Sequence, residues 1–498
     1  MRLKYLVERS ARHYGPLTAV TCGPASYTYS QVADRALRLA AQLRSLGCRD
    51  GDRVVVCLPN CAEYLEVELG IALGRLVKVA LNVRLPEDDL TRIAEDAAAS
   101  AVVYSDELSS AGGRIADVLS EPAVAIRLED EAHLCHPPLT GDAGPLESDL
   151  FALFYTSGTT GRPKGVMHTH HAQLNVALNL LLEYGPVRAG EQILLVQPLS
   201  HGAGFFMLPW FLSGGTCVIT RTFDPAESVD LIGSRGIETF KLVPTMLIRL
   251  LESGAGRQDV PSLRKVIYGA SPMPSDRIKE AVTRFGPILT QLYGQAEAPM
   301  CITVLPEADH VGDDPRVLSS AGRPWRNVEV RVVHGDYRDV APDETGEVIV
   351  RGEHMMSGYW GLPEETSKVL RDGYVWTRDR ATVDERGYVY LLGRTDEMIL
   401  SGGFNIAPRA VEEVIDAHPS VLESAVVGVP DPEWGQRVKA YVTLRAGADA
   451  GADELIEFCA PRLGFQKPRA IEIVDALPRN AYGKVVKSEL LAREEANP

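Results

Sequence analysis

Residues 155–166 read Tyr-Thr-Ser-Gly-Thr-Thr-Gly-Arg-Pro-Lys-Gly-Val, placing four Ser/Thr hydroxyls, three glycines and a lysine in one short segment. Glycines let backbone N–H groups curl around an anion. The hydroxyls of Thr156, Ser157, Thr159 and Thr160 add donors, and Lys164 adds charge, so a polyphosphate suits this segment. A Walker A loop is excluded, because Pro163 precedes the lysine and Gly165 follows it where Gly-Lys-Ser/Thr should open a helix. A solvated linker can share this composition, but the apolar run 150–154 just before it reads as a buried strand.

Further segments follow in order: Pro198-Leu-Ser-His-Gly-Ala-Gly204, Tyr268-Gly-Ala-Ser-Pro-Met-Pro274, Tyr293-Gly-Gln-Ala-Glu297, Thr377-Arg-Asp379, Gly393-Arg-Thr-Asp396 and Pro478-Arg-Asn-Ala-Tyr-Gly-Lys484. With the phosphate loop, this series resembles the adenylate-forming superfamily of acyl- and aryl-CoA synthetases, luciferases and stand-alone adenylation domains. The resemblance covers nearly the whole chain. It implies ATP, Mg²⁺ and coenzyme A as cofactors, a small carboxylic acid as substrate, and an acyl-adenylate as intermediate.

Residue by residue, the resemblance places ATP or AMP on Thr156, Ser157, Gly158, Thr159, Thr160, Lys164, Gly269, Ala270, Ser271, Gln291, Tyr293, Gly294, Asp379 and Arg394. Tyr293 would stack on the base, and Asp379 would grip the ribose hydroxyls with Arg394 as a further contact. Glu297 is the expected Mg²⁺ carboxylate, one being enough for a cation that keeps most of its waters. Lys484 would stand between two anions, the attacking carboxylate and the α-phosphate, and offset their repulsion. Thr156, His201, Glu297 and Lys484 are thus the expected catalytic set. His201, Gly202, Ala203, Gly204, Phe205, Tyr268 and Gly294 are expected to line the acyl pocket. Ser401, Gly402, Gly403 and Trp434 are expected at a thiol tunnel, Phe465 and Lys467 near the CoA nucleotide, and Asp396 at a hinge.

Three motifs depart from the family pattern. Ala296 stands where a threonine hydroxyl usually meets phosphate, a loss on the order of 1 kcal/mol. Arg378 replaces the glycine of Thr-Gly-Asp, so a different turn is expected there. The lysine loop carries Asn480-Ala-Tyr482 where Thr and Ser are common. Transfer to a carrier protein is the main alternative, since it shares every adenylation motif. An amino-acid adenylation domain is disfavoured because residues 201–210 hold no acid for an α-amine. They hold no cation past His201 for a second carboxylate either, which points to an apolar monocarboxylic acid, aryl or bulkier. A non-catalytic paralogue is disfavoured by the joint presence of Lys164, Glu297, Asp379 and Lys484.

The elements that must position these residues read as α/β alternation. A helix capped by Ser30 is expected through about Leu46, a strand over 54–58, a helix over 63–76 and a strand over 77–82. Strands are expected at 193–196, 216–219 and 265–267, in a mostly parallel sheet covered by helices. Alternating runs at 328–333 and 346–351 suggest a small β-rich subdomain, and 121–149 reads as an irregular loop. The expected division is 1–394 for adenylation, a hinge at 395–398, and a small mobile α+β domain over 399–498 carrying Lys484. At 498 residues and net charge −16, the chain exceeds a single core and is a poor nucleic-acid partner. Eight scattered cysteines, no secretory apolar core and no run of membrane-spanning length imply a cytoplasmic enzyme.

Overall fold

The computed structural model describes residues 3–141, 144–156, 163–312, 314–445, 447–479 and 485–496. Ser157, Gly158, Thr159, Thr160 and Lys484 lie outside the described residues, and Asp396 is described in its backbone only.

Two largely parallel sheets form the body. One runs in the order Arg323–Pro324, Ala298–Leu305, Leu289–Gln295, Lys265–Gly269, Thr239–Leu242, Gln192–Leu195, Thr216–Ile219, Thr18–Cys22, Ala25–Thr28. The other centres on Val77–Ala80, Arg53–Cys57, Ala101–Tyr104 and Val124–Arg127, all parallel, with Leu150–Thr156 parallel and Lys164–Thr169 antiparallel at one side. Their central strands are buried on both faces, which is why they read as unbroken β-branched runs. Val124–Arg127 sits inside the stretch expected to be irregular. Its alternating burial is only four residues long, too short a period to stand out.

Helix Tyr29–Ser45 is capped by Thr28, not Ser30. Thr28 accepts from Gln31 N while the Gln31 side chain returns to Thr28 N, a reciprocal pair that Ser30 has no Glu or Gln at 33 to form. Helix Tyr64–Leu73 is buried at every position. Its two carboxylates are neutralised in place, Glu66 by Arg35 and Glu68 by Lys78.

An antiparallel sheet over Glu329–Val333, Gly346–Arg351, Tyr374–Val383 and Val389–Arg394 follows. After a single turn at Thr395–Glu397, a separate sheet of Ile399–Ser401, Phe404–Ile406, Val421–Asp431, Gly435–Leu444 and Ala470–Ile473 packs on helices Pro408–Asp416 and Ala452–Leu463.

Candidate active site

The phosphate loop joins two antiparallel strands whose last and first residues, Thr156 and Lys164, are register partners. The hairpin therefore holds the hydroxyl and the ammonium at one edge. Lys164 Nζ lies 2.7 Å from Glu365 Oε2 and 5.4 Å from the centre of the Tyr359 ring. Hydrogen bonds from Lys164 and Lys368 hold the half-buried Glu365 carboxyl down to about 2. Glu365 was not foreseen, and no local signal marks it.

The expected ribose acid is well anchored. Asp379 Oδ2 accepts from the Tyr293 hydroxyl at 2.5 Å and from Gln295 Nε2 at 2.5 Å. Gln295 also donates to the Thr377 carbonyl at 3.0 Å, and Asp379 faces Arg394 across the strand pair. Burial, then the Asp379 charge, pushes the Tyr293 hydroxyl well above its ordinary value, so it stays a donor. Tyr293 thus positions Asp379 in addition to its expected place beside the base. Arg378 takes φ +62°, the left-handed conformation a glycine would adopt. The turn is held by Arg378 N donating to Glu347 Oε1 at 3.0 Å and Thr395 Oγ1 donating to the Arg378 carbonyl at 3.1 Å.

Glu297 accepts from the Tyr359 hydroxyl at 2.7 Å, and its carbonyl accepts from Met356 N at 2.9 Å. Among the described residues no cluster of three or more His, Cys, Asp or Glu forms a metal cage. An oriented, half-buried carboxylate bonded to the Tyr359 whose ring Lys164 faces is a donor that suits Mg²⁺, which fills its shell with water and phosphate oxygens. At the departure, the Ala296 carbonyl meets His168 Nε2 at 2.7 Å.

Strand Lys265–Gly269 delivers Gly269, Ala270 and Ser271 to the sheet edge. Ala270 is exposed and held at φ +76°. Tyr268 does not join the acyl pocket. Alternation along the strand turns it into the second core, where its hydroxyl lies 2.9 Å from His310 Nε2. Gln291, its strand partner, donates Nε2 to the Ser320 carbonyl at 3.2 Å and so acts as a buried cross-link, not a nucleotide contact. Gly294 packs on the chain at Met300, where an added Cβ would stand 2.4 Å from Met300 N.

His201 follows strand Gln192–Leu195 on a tight turn in which His201 N donates to Pro198 O at 3.1 Å and Gly204 N to His201 O at 3.0 Å. Asn60 locks the base of this turn, donating to the Gln197 and Thr220 carbonyls at 2.9 and 3.0 Å and accepting from Leu199 N at 3.0 Å. A polar residue ending an apolar strand was the available signal for Asn60. Burial, then the charge of Lys241, pushes His201 down to about 4, so its imidazole is neutral. Gly204 leaves no pocket volume, since a Cβ there would lie 2.0 Å from the Leu199 carbonyl oxygen. Gly202 is open, its Cβ meeting only Met300 Cε at 3.7 Å. Ala203 and Phe205 are buried, and Phe205 stacks on Phe154 with ring centres 4.9 Å apart.

In the C-terminal sheet, Gly402 N donates to the Trp434 carbonyl at 2.9 Å, and Gly402 adopts φ +58°. An added Cβ would sit 2.6 Å from the Trp434 ring, so glycine is required on both counts. Ser401 is buried and Gly403 exposed, while Arg469 lies 4.3 Å over the Trp434 ring. Phe465 packs on Phe404 with ring centres 4.8 Å apart and planes tilted by 48°, and both rings are exposed.

Residues 7–360 match the family model of AMP-binding enzymes, and 410–484 match that of the AMP-binding enzyme C-terminal domain. A feruloyl-CoA synthase from Amycolatopsis is 37% identical over 97% of both chains. A fatty acid–acyl-carrier-protein ligase, ScoC, from Streptomyces coeruleorubidus is 34% identical over 99% of this chain and 97% of its own. The crystal structure of ATP-bound MatB from Rhodopseudomonas palustris superposes with a TM-score of 0.90 at 29% identity, covering 99% of each chain.

Proposed function

Since this chain belongs to the AMP-binding enzyme family, in its acyl-CoA ligase branch, we propose that it activates an aryl or otherwise bulky monocarboxylic acid and transfers it to coenzyme A. The enzyme is an AMP-forming acid–thiol ligase that uses ATP, Mg²⁺ and CoA. The observation that carries the reading is the clamp in which Tyr293 and Gln295 both donate to Asp379 directly opposite Arg394. Such a preoriented carboxylate accepts two vicinal hydroxyls and fixes a nucleotide with its phosphates toward Lys164 and Glu297.

In the first half-reaction the acid's carboxylate attacks the α-phosphorus of ATP in line, and pyrophosphate leaves. Glu297 would hold Mg²⁺, which when bound would supply charge neutralisation at the phosphate oxygens. Thr156 and Lys164 orient the chain of phosphates, Lys484 offsets the approach of two anions, and neutral His201 borders the reacting carboxylate without adding a repelling charge. In the second, residues 399–498 turn about Asp396 relative to 1–394, with 395–398 as the hinge, and the thiol displaces AMP along Gly402, Gly403 and Trp434. Phe154, Phe205 and Phe206 supply an apolar wall suited to a ring.

A carrier-protein thiol is the second reading, favoured by the name of one near-full-length relative. A cytoplasmic location goes with either. Among the described residues no helix is long and apolar enough to cross a membrane. Pyrophosphate release with a panel of acids, followed by thioester formation with CoA, tests the proposal. Acid-dependent release without any CoA thioester would move the acceptor to a carrier protein, and no release from any acid would end the reading.

A further inference from the structure

Among the described residues two lysines are buried, Lys78 at 2% exposure and Lys241 at 3%. Lys78 is neutralised by Glu68. Lys241 has no carboxylate within ion-pair distance among the described residues. Its Nζ donates to the Leu242 carbonyl at 2.7 Å and lies 5.9 Å from the centre of the Phe206 ring. An ammonium carries three donors, so the protein leaves capacity for another acceptor. Burial alone pushes Lys241 down to about 7, as expected where no counter-charge compensates.

Its place in the sheet gives this cation a direction. Strands Gln192–Leu195, Thr239–Leu242 and Lys265–Gly269 are adjacent and parallel, and Lys241 is the register partner of Leu195 on one side and Ile267 on the other. Beyond the first strand the chain runs to His201, and beyond the third to Ala270 and Ser271. In open α/β sheets ligands bind outside the carboxyl ends of the strands, so Lys241 lies between the two segments that flank the reacting carboxylate. Leu195, Ile267 and Phe206 share one core, whereas Phe240 and Leu242 belong to the other. Lys241 therefore faces the side of the sheet that carries the aromatic wall.

We propose that Lys241 is a specificity-determining residue on the inner wall of the acyl pocket, donating a hydrogen bond to an oxygen borne by the acid remote from the carboxylate being activated. The substrate is then an aryl or bulky acid with a distal hydroxyl, carbonyl or carboxylate oxygen. The inference rests on the acid–CoA ligase reading and narrows it. It also revises the wholly apolar acid expected from residues 201–210, because the cation arrives from a different strand. A site built to bond a substrate oxygen rejects analogues lacking it far more strongly than an apolar pocket rejects a changed methylene.

The test compares kcat/KM for pyrophosphate release with cinnamate and its 4-hydroxy, 4-acetyl and 4-carboxy derivatives, in the unmodified enzyme and in Lys241→Met. The unmodified enzyme should favour at least one oxygenated acid by about tenfold or more, and which one identifies the oxygen. Lys241→Met should bring the ratio near unity while keeping turnover of cinnamate, a change that a merely structural lysine does not produce. Lys241→Gln, which keeps a donor, should fall between. A Lys241→Met enzyme that turns over cinnamate with an undiminished preference overturns the role of Lys241 alone. So does equal kcat/KM across the series in the unmodified enzyme, whatever the variants do. No release from any acid overturns the ligase reading, and the inference with it.

Discussion

Lys164 and Glu365 stand 201 positions apart in the chain and 2.7 Å apart in space. The lysine assigned to phosphate is therefore held by an internal anion, and ATP must compete for it. Removing the Glu365 charge frees Lys164 for the nucleotide, so Glu365→Gln should lower the KM for MgATP. A raised KM in steady-state pyrophosphate release would show that the pair presents Lys164 to the nucleotide instead of withholding it.

Tyr293→Phe removes a donor to Asp379 while keeping the ring. We expect the KM for ATP to rise about fivefold, equivalent to a hydrogen bond of roughly 1 kcal/mol, with the KM for the acid unchanged. Equal effects on both substrates would assign Tyr293 to general packing.

Lys484→Ala should reduce acyl-adenylate formation by about 10²-fold or more, since only that step brings two anions together. Thioester formation from supplied acyl-adenylate and CoA should persist. Equal loss of both half-reactions, measured separately, would contradict a two-conformation cycle.

The glycines after His201 should separate. Gly202→Leu enters open space and should penalise bulky acids more than acetate. Gly204→Ala drives a Cβ into the Leu199 carbonyl and should lower the melting temperature with every acid affected alike.

His168, His170, His310 and His354 are buried, and desolvation lowers each from 6.5 to about 4. Between pH 4 and 6.5 the unfolded chain binds more protons than the folded one, so stability rises with pH across that window and is lost as pH falls through it. Each histidine contributes on the order of 1–2 kcal/mol to the difference between pH 7 and pH 5. Urea midpoints should therefore drop steeply from pH 7 to pH 5. A flat profile would mean these imidazoles titrate in the fold as they do in the unfolded chain.

Family membership was legible because it is written in local runs, such as the hydroxyl-glycine loop and Thr377-Arg-Asp379. What escaped was whatever acts through a distant partner. Tyr359 orients Glu297 from 62 positions away, and Asn60 braces the His201 turn through carbonyls more than 130 positions on. Lys241 was hidden for another reason, being the one lysine in a four-residue strand whose side chains alternate between two cores. Tyr268 and Gln291 were misplaced because motif proximity does not say which face of a strand a side chain takes. Gly204 was misread because an absent side chain leaves space only where backbone is not already there.

The bond from Thr395 Oγ1 to the Arg378 carbonyl fastens the first residue after Arg394 to the strand that carries Asp379. Any rotation about Asp396 thus has its pivot beyond the last point of attachment to the nucleotide. In the proposed cycle, load from a turning C-terminal domain would meet Thr395 before it reached Asp379. An acyl-adenylate would then stay seated while Lys484 left and the thiol arrived.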